Sequence, residues 1–156
     1  MSVRVQEATF DVAVEMAETT GGDTSIGGVA MFVGLVRDLD PHADAKKVSA
    51  LTLEHYPGMT ERQLEGIEAE ALARWPLAAT RIVHRHGRME PGEPIVLVIC
   101  CSAHREAAFD ACAFLMDWLK TKAPFWKVED TDDGPRWVEA RASDDAAADR
   151  WTKPEC

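Results

Sequence analysis

The stretch IVLVICC (Ile95–Cys101), then SAHR (Ser102–Arg105), then EAAFDACAFLMDWLKTK (Glu106–Lys122) decides the fold. The first seven residues are all apolar, too short to cross a bilayer and bounded by turn-forming residues. They predict a central strand buried on both faces. Ser102 is placed to cap the helix that follows. Glu106 to Leu119 contains neither proline nor glycine, so one unbroken helix is expected to run to Lys120 or Lys122, and Pro124 to stop it. Ala108, Phe109, Cys112, Leu115, Met116 and Leu119 make the helix apolar nearly all round, which suits burial on several sides.

Working outward, Gly28–Val36 (GVAMFVGLV) reads as a buried strand and Val48–His55 (VSALTLEH) as a second. The polar segment Asp38–Lys47 between them is a loop. After the Pro57-Gly58 turn, Thr60 with Gln63 fits a capping box. Leu64, Ile67, Ala71 and Trp75 follow at helical spacing, and Pro76 ends that helix. Ala79–His86 alternates as a strand, and Glu90–Glu93 is a turn. Phe10–Glu18 is a short amphipathic helix, Thr19–Gly28 a turn-rich loop, and Arg136–Ala140 a late strand. Strands and helices mix without a βαβ beat. The class is α+β, a single domain over residues 1–151 with a mainly antiparallel sheet and packed helices, and a frayed tail over 152–156.

Composition narrows the function. Net charge is −10, which argues against nucleic acid as a partner. No apolar run approaches the ~20 residues of a membrane span. Acidic residues interrupt the N-terminal apolar stretch, unlike a secretory leader, so a cytoplasmic protein is expected. The four cysteines, Cys100, Cys101, Cys112 and Cys156, lack the spacing of a metal site, and Cys100 and Cys101, ending the apolar run, read as buried reduced thiols.

Two basic groups stand out in this acidic chain. His104 and Arg105 sit in a helix's first turn, where the backbone dipole favours anions. Either a bound phosphate resolves that conflict, or the two are a solvated pair. Lys120 and Lys122 suit the dipole at the other end. Lys127 follows Ala123-Pro124-Phe125-Trp126. An apolar wall of that kind lowers a lysine's pKa and suits it to acid or base work. Arg37, after a buried strand, points either into a cleft or to solvent. His42 reads as solvated, His84 and His86 as structural, and His55 as packed near Tyr56.

LTLEHYPGM (Leu51–Met59), SAHR (Ser102–Arg105), FLMDWLKTKAPFWK (Phe114–Lys127) and RWVEAR (Arg136–Arg141) together resemble the molybdopterin synthase catalytic (large) subunit family. Weaker likeness covers Gly28–Arg37 and Arg74–Leu77. The resemblance implies a sulfurtransferase of molybdenum cofactor biosynthesis. It would convert cyclic pyranopterin monophosphate to molybdopterin with sulfur from the C-terminal Gly-Gly thiocarboxylate of a small ubiquitin-like subunit. It implies no metal or redox cofactor. Lys120 and Lys127 match the family's catalytic lysines. Arg37, His104, Arg105 and Glu129 join them in substrate binding, with Arg141 a weaker match. Leu35 stands where some relatives have lysine, so no binding role is carried to it. Two other classes remain: a non-catalytic module that captures a partner's tail, and a hydrolase of cyclic phosphodiesters.

Helix geometry adds one expectation. His104 and Lys120 are sixteen positions apart, roughly 24 Å along a helix axis, too far for one small pterin to span. Either the two ends serve separate sites, or the site is shared between two copies in a homodimer, and with one small subunit on each copy the assembly is a heterotetramer.

Overall fold

The computed structural model describes residues 2–38, 47–138 and 142–152. In chain order the elements are β1 (Val3–Gln6), α1 (Val12–Thr20), β2 (Gly28–Leu35), β3 (Val48–His55), α2 (Met59–Arg74) and β4 (Leu77–Arg85). Then come β5 (Gly87–Met89), β6 (Pro94–Ser102), α3 (Arg105–Lys122), β7 (Phe125–Thr131), β8 (Gly134–Val138) and α4 (Ala142–Asp149). They build two four-stranded sheets, ordered β1-β4-β6-β2 and β5-β3-β7-β8. Every pairing but β1 with β4 is antiparallel. The α+β class read from the sequence is borne out.

The central strand is β6, hydrogen-bonded between β4 and β2, and its unbroken apolarity has a direct cause. Successive side chains of a strand point to opposite faces. Val96, Val98 and Cys100 enter a core with Leu64, Ile67 and Ala71 of α2 and Ala108, Phe114 and Leu115 of α3. Leu97, Ile99 and Cys101 face the other way, against Phe10, Val12, Ile26 and Val29. Both faces are dry, so no position on β6 tolerates a polar side chain until Ser102. A third cluster, Val36, Leu51, Leu53 and Met89 with Ile95, joins the two sheets.

Four local expectations need correction. Gly28–Val36 is not a fully buried strand: β2 is a sheet edge, with Met31 37%, Phe32 43% and Leu35 54% exposed. Thr60 is not a helix cap. Helix α2 starts at Met59, and the Glu61 carboxylate accepts from the Gly58 N–H at 2.6 Å. The buried Thr60 hydroxyl instead accepts from the Tyr56 N–H and donates to the Pro124 carbonyl, tying the α2 start to the turn after α3. Ser102 ends β6 and donates to the Pro76 carbonyl at 2.9 Å, while His104 takes the N-cap position. Phe10 lies outside α1, which Asp11 caps by accepting from the Val14 N–H.

The acidic stretch after β8 holds helix α4. Trp151 packs against Trp75 and Phe114, and its indole N–H and the Arg150 guanidinium both donate to Asp117 of α3. His42, Arg141, Cys156 and most of the 152–156 tail lie outside the described residues.

Candidate active site

Pro124 turns the chain sharply between α3 and β7, and this turn builds the site. It sets Lys120, in the last turn of α3, beside the start of β7. Strand β7 pairs antiparallel with β3, Lys127 opposite Leu53. Alternation sends Phe125 and Lys127 to one face and Trp126 to the other, where Trp126 packs edge-on against Tyr56, ring centroids 4.3 Å apart. Of the two aromatics expected beside Lys127, only Phe125 stands on its face.

Lys120, Lys127 and Arg37 line one cavity of about 440 Å³. Three cations, from α3, from β7 and from the segment after β2, thus converge in a chain of net charge −10. Phe32, Leu35, Leu51, Leu53 and Leu119 supply much of its apolar lining. Leu35, where a lysine was expected in some relatives, contributes apolar surface and no charge.

His84 of β4 lines the same cavity. Its ring stacks on Phe125, centroids 3.7 Å apart and planes 17° from parallel. Its Nδ1 lies 2.8 Å from the Arg85 carbonyl oxygen. A carbonyl only accepts, so Nδ1 carries the proton. Burial drives the His84 pKa down to about 3, and the nearby Lys120 and Lys127 charges push the same way. The ring is therefore neutral at physiological pH. Sequence reading gave His84 a structural role, because its neighbours in the cavity are brought from elements far along the chain.

The other histidines form a second group. The His55 ring lies against that of His86, centroids 4.2 Å apart and planes tilted by 33°, and 3.9 Å from Glu61. Burial lowers the His55 pKa, and His86 lowers it further. Cys100 and Cys101 are buried free thiols, as expected, and so is Cys112. Among the described residues no cluster of His, Cys, Asp or Glu is arranged to hold a metal ion.

Not all expected site residues converge. His104 and Arg105 are exposed at the opposite end of α3. Gly28 packs on the Arg105 backbone there: a Cβ on Gly28 would stand 3.5 Å from the Arg105 Cα. Glu129 does not reach the cavity lining and pairs with Arg136 at 2.6 Å. Lys122 turns away from the cavity, its ammonium 4.6 Å from the Trp118 ring centroid. A second, more open groove of about 410 Å³ runs between β2 and α3, lined by Met31, Phe32, Phe109, Cys112, Met116 and Lys120. It follows the β2 edge along α3 from Phe109 to Lys120.

The family described as "MoaE protein" matches residues 5–122. The chain belongs to that family. A molybdopterin synthase catalytic subunit of Pseudomonas aeruginosa is 59% identical over 97% of this chain and 99% of its own length. One from Mesorhizobium japonicum is 52% identical over 96% and 92%. Among solved structures, the molybdopterin biosynthesis MoaE protein of Burkholderia ambifaria is 50% identical with a TM-score of 0.82, covering 98% of this chain and 99% of that one. A Helicobacter pylori complex of subunits 1 and 2 of molybdopterin-converting factor has a TM-score of 0.73 over 90% and 92%. At 17% identity it speaks to the fold alone. Membership bears out the resemblance read from the sequence, and with it an enzyme of molybdopterin synthesis. Among the described residues no helix is long and apolar enough to cross a membrane.

Proposed function

We propose that this chain is the catalytic subunit of a cytoplasmic molybdopterin synthase. It converts cyclic pyranopterin monophosphate to molybdopterin with sulfur from the C-terminal thiocarboxylate of a small ubiquitin-like partner. The observation that carries this reading is the convergence of Arg37, Lys120 and Lys127 on one largely apolar cavity. The substrate phosphate and the thiocarboxylate are both anions. Cations gathered beside a largely apolar cavity hold such groups and stabilise the charge that develops as sulfur is transferred. Arg37 offers a planar fork for phosphate. Lys120 and Lys127 supply acid/base help and stabilise the oxyanion on the acyl carbon as its sulfur leaves. The reading assigns no metal and no redox cofactor. The Gly-Gly tail, without side chains, is narrow enough to reach the lysines.

The same reading makes the site a product of two copies. Gly28 lies by Arg105, while Leu35 and Lys120 share the cavity, so β2 and α3 run side by side in one direction. From Gly28 to Leu35 a strand advances about 24 Å, matching the distance between the helix ends. Two β2 edges paired antiparallel about a two-fold axis would bring His104 and Arg105 of one copy to Lys120 and Lys127 of the other. Exposed Met31 and Phe32 on that edge, with exposed Phe109 of α3 across the groove, fit burial against a second copy. One small subunit on each copy gives a heterotetramer. Glu129 acts through its ion pair with Arg136.

The deciding experiment combines purified protein, thiocarboxylated small subunit and the cyclic pterin, and measures dithiolene product. A tail-binding module without turnover gives none. A cyclic phosphodiesterase opens the phosphate without the sulfur donor.

A further inference from the structure

The buried histidine of the cavity has no place in the chemistry above. His84 is fixed twice, by its Nδ1–H bond to the Arg85 carbonyl at 2.8 Å and by its stack on Phe125 at 3.7 Å. With its single proton on Nδ1, the ring keeps a bare lone pair on Nε2, an acceptor. The side chain is 5% exposed and lines the cavity with Lys120, Lys127 and Arg37. The charged or titratable groups near it are Lys120 from α3, Lys127 from β7 and His55 from β3, with Arg37 after β2 on the same cavity. Lys120, Lys127 and Arg37 surround this acceptor with N–H donors.

We propose that His84 is a positioning residue of this site, whose Nε2 lone pair accepts a hydrogen bond from the Lys120 ammonium and holds that group over the cavity. The proposal rests on the assignment of Lys120 to the reaction. Lys120 is exposed in the structure, and the bond forms when its flexible chain turns inward over bound substrate or partner tail. His84 is not itself the acid or base. A ring that stays neutral well below neutral pH neither donates a second proton nor binds an anion as a cation. Its part is to aim Lys120 and to favour the protonated form of that lysine, because a hydrogen bond to a charged group raises the pKa of a base.

The test compares three substitutions in the full complex. His84→Asn keeps a donor for the Arg85 carbonyl but is too short to replace Nε2. His84→Gln reaches the Nε2 position with an amide oxygen. His84→Phe keeps the stack without any acceptor. Two quantities are read: the Lys120 Nζ titration by NMR, with the small subunit bound, and the single-turnover rate against pH. Expected are a lower Lys120 pKa, a basic limb moved to lower pH and about ten-fold slower transfer in the Asn and Phe variants, with the Gln variant recovering much of all three. Unchanged Lys120 titration in a folded Asn or Phe variant overturns the proposal. So does a Gln variant as impaired as Asn, since a purely structural histidine gives that pattern. If Phe does not fold, the Asn and Gln pair decides alone. The NMR readout needs no turnover, so a failure of the catalytic assignment of Lys120 shows separately, as a normal rate in Lys120→Ala.

Discussion

The two ends of α3 carry the same kind of side chain and make opposite demands. At the C-terminal end Lys120 and Lys122 meet the negative pole of the backbone dipole. Lys120 helps close a cavity there, and Lys122 settles on Trp118. At the N-terminal end His104 and Arg105 stand exposed against the positive pole, with no side-chain cap from His104. Cations at the first end stabilise the helix with nothing bound. Cations at the second become favourable only when an anion arrives. The difference teaches where to expect catalytic groups and where to expect groups that wait for a ligand.

The sharpest way to break that contrast is to remove the cations one end at a time. Lys120→Ala and Lys127→Ala are each expected to slow single-turnover product formation by about a hundred-fold or more, the scale of losing one oxyanion-stabilising donor. Circular dichroism should stay normal. Near-normal rates in both folded variants would remove the lysines from the chemistry. Arg105→Ala is expected to act on binding instead. A charge-assisted hydrogen bond is worth about 1.5–3 kcal/mol, so pterin affinity falls by roughly ten- to hundred-fold, with little change in the rate of bound substrate. An unchanged dissociation constant would leave Arg105 a solvated side chain.

The same contrast explains what the sequence made legible. The helix, its lack of breakers and the strand before it are local patterns, and all three stand in the structure. Lys120 could be placed at a helix end because spacing alone sets that. The cavity could not be read, because its walls come from β2, β3, β4, β6, α3 and β7, and only tertiary packing joins them. His84 shows the limit best: on its strand it has ordinary neighbours, and its stack on Phe125 links residues 41 positions apart. Strand β7 was missed for another reason. Phe125-Trp126-Lys127 read as an apolar wall by composition, whereas pairing with β3 splits it between two faces. Glu129 follows from the same register: two residues beyond Lys127, it meets Arg136 across β8 before it reaches the cavity.

Whether the ends of α3 cooperate across a dimer is settled by subunit exchange. Inactive Lys120→Ala and weakly binding Arg105→Ala proteins are mixed at low substrate and allowed to exchange. Half of the dimers become mixed, and each of those holds one pocket with both wild-type residues. About a quarter of all pockets therefore recover full function. A site confined to one chain gives no gain over the average of the two unmixed proteins. That result would overturn the shared pocket and leave His104 and Arg105 to a site separate from Lys120 and Lys127.

The smallest expected effect separates the two ends by their response to acid. His84, at the cavity end, has a folded pKa of about 3 against an ordinary value of 6.5. Between these values the unfolded chain binds a proton that the folded chain refuses, so stability rises with pH across this window and is lost as pH falls below 6.5. His55, lowered by burial and by His86, acts in the same direction. For His84 the loss amounts to about 1.4 kcal/mol one pH unit below its unfolded value. Urea unfolding from pH 7.5 to 5 is expected to show this slope in the wild-type protein and a shallower one in His84→Gln, whatever the absolute stability of that variant. His104→Gln removes an exposed histidine from the other end and serves as the comparison. Equal slopes in the wild-type and His84→Gln proteins would mean that His84 charges without cost, and the cavity would then be open to water around the ring rather than sealed by Phe125.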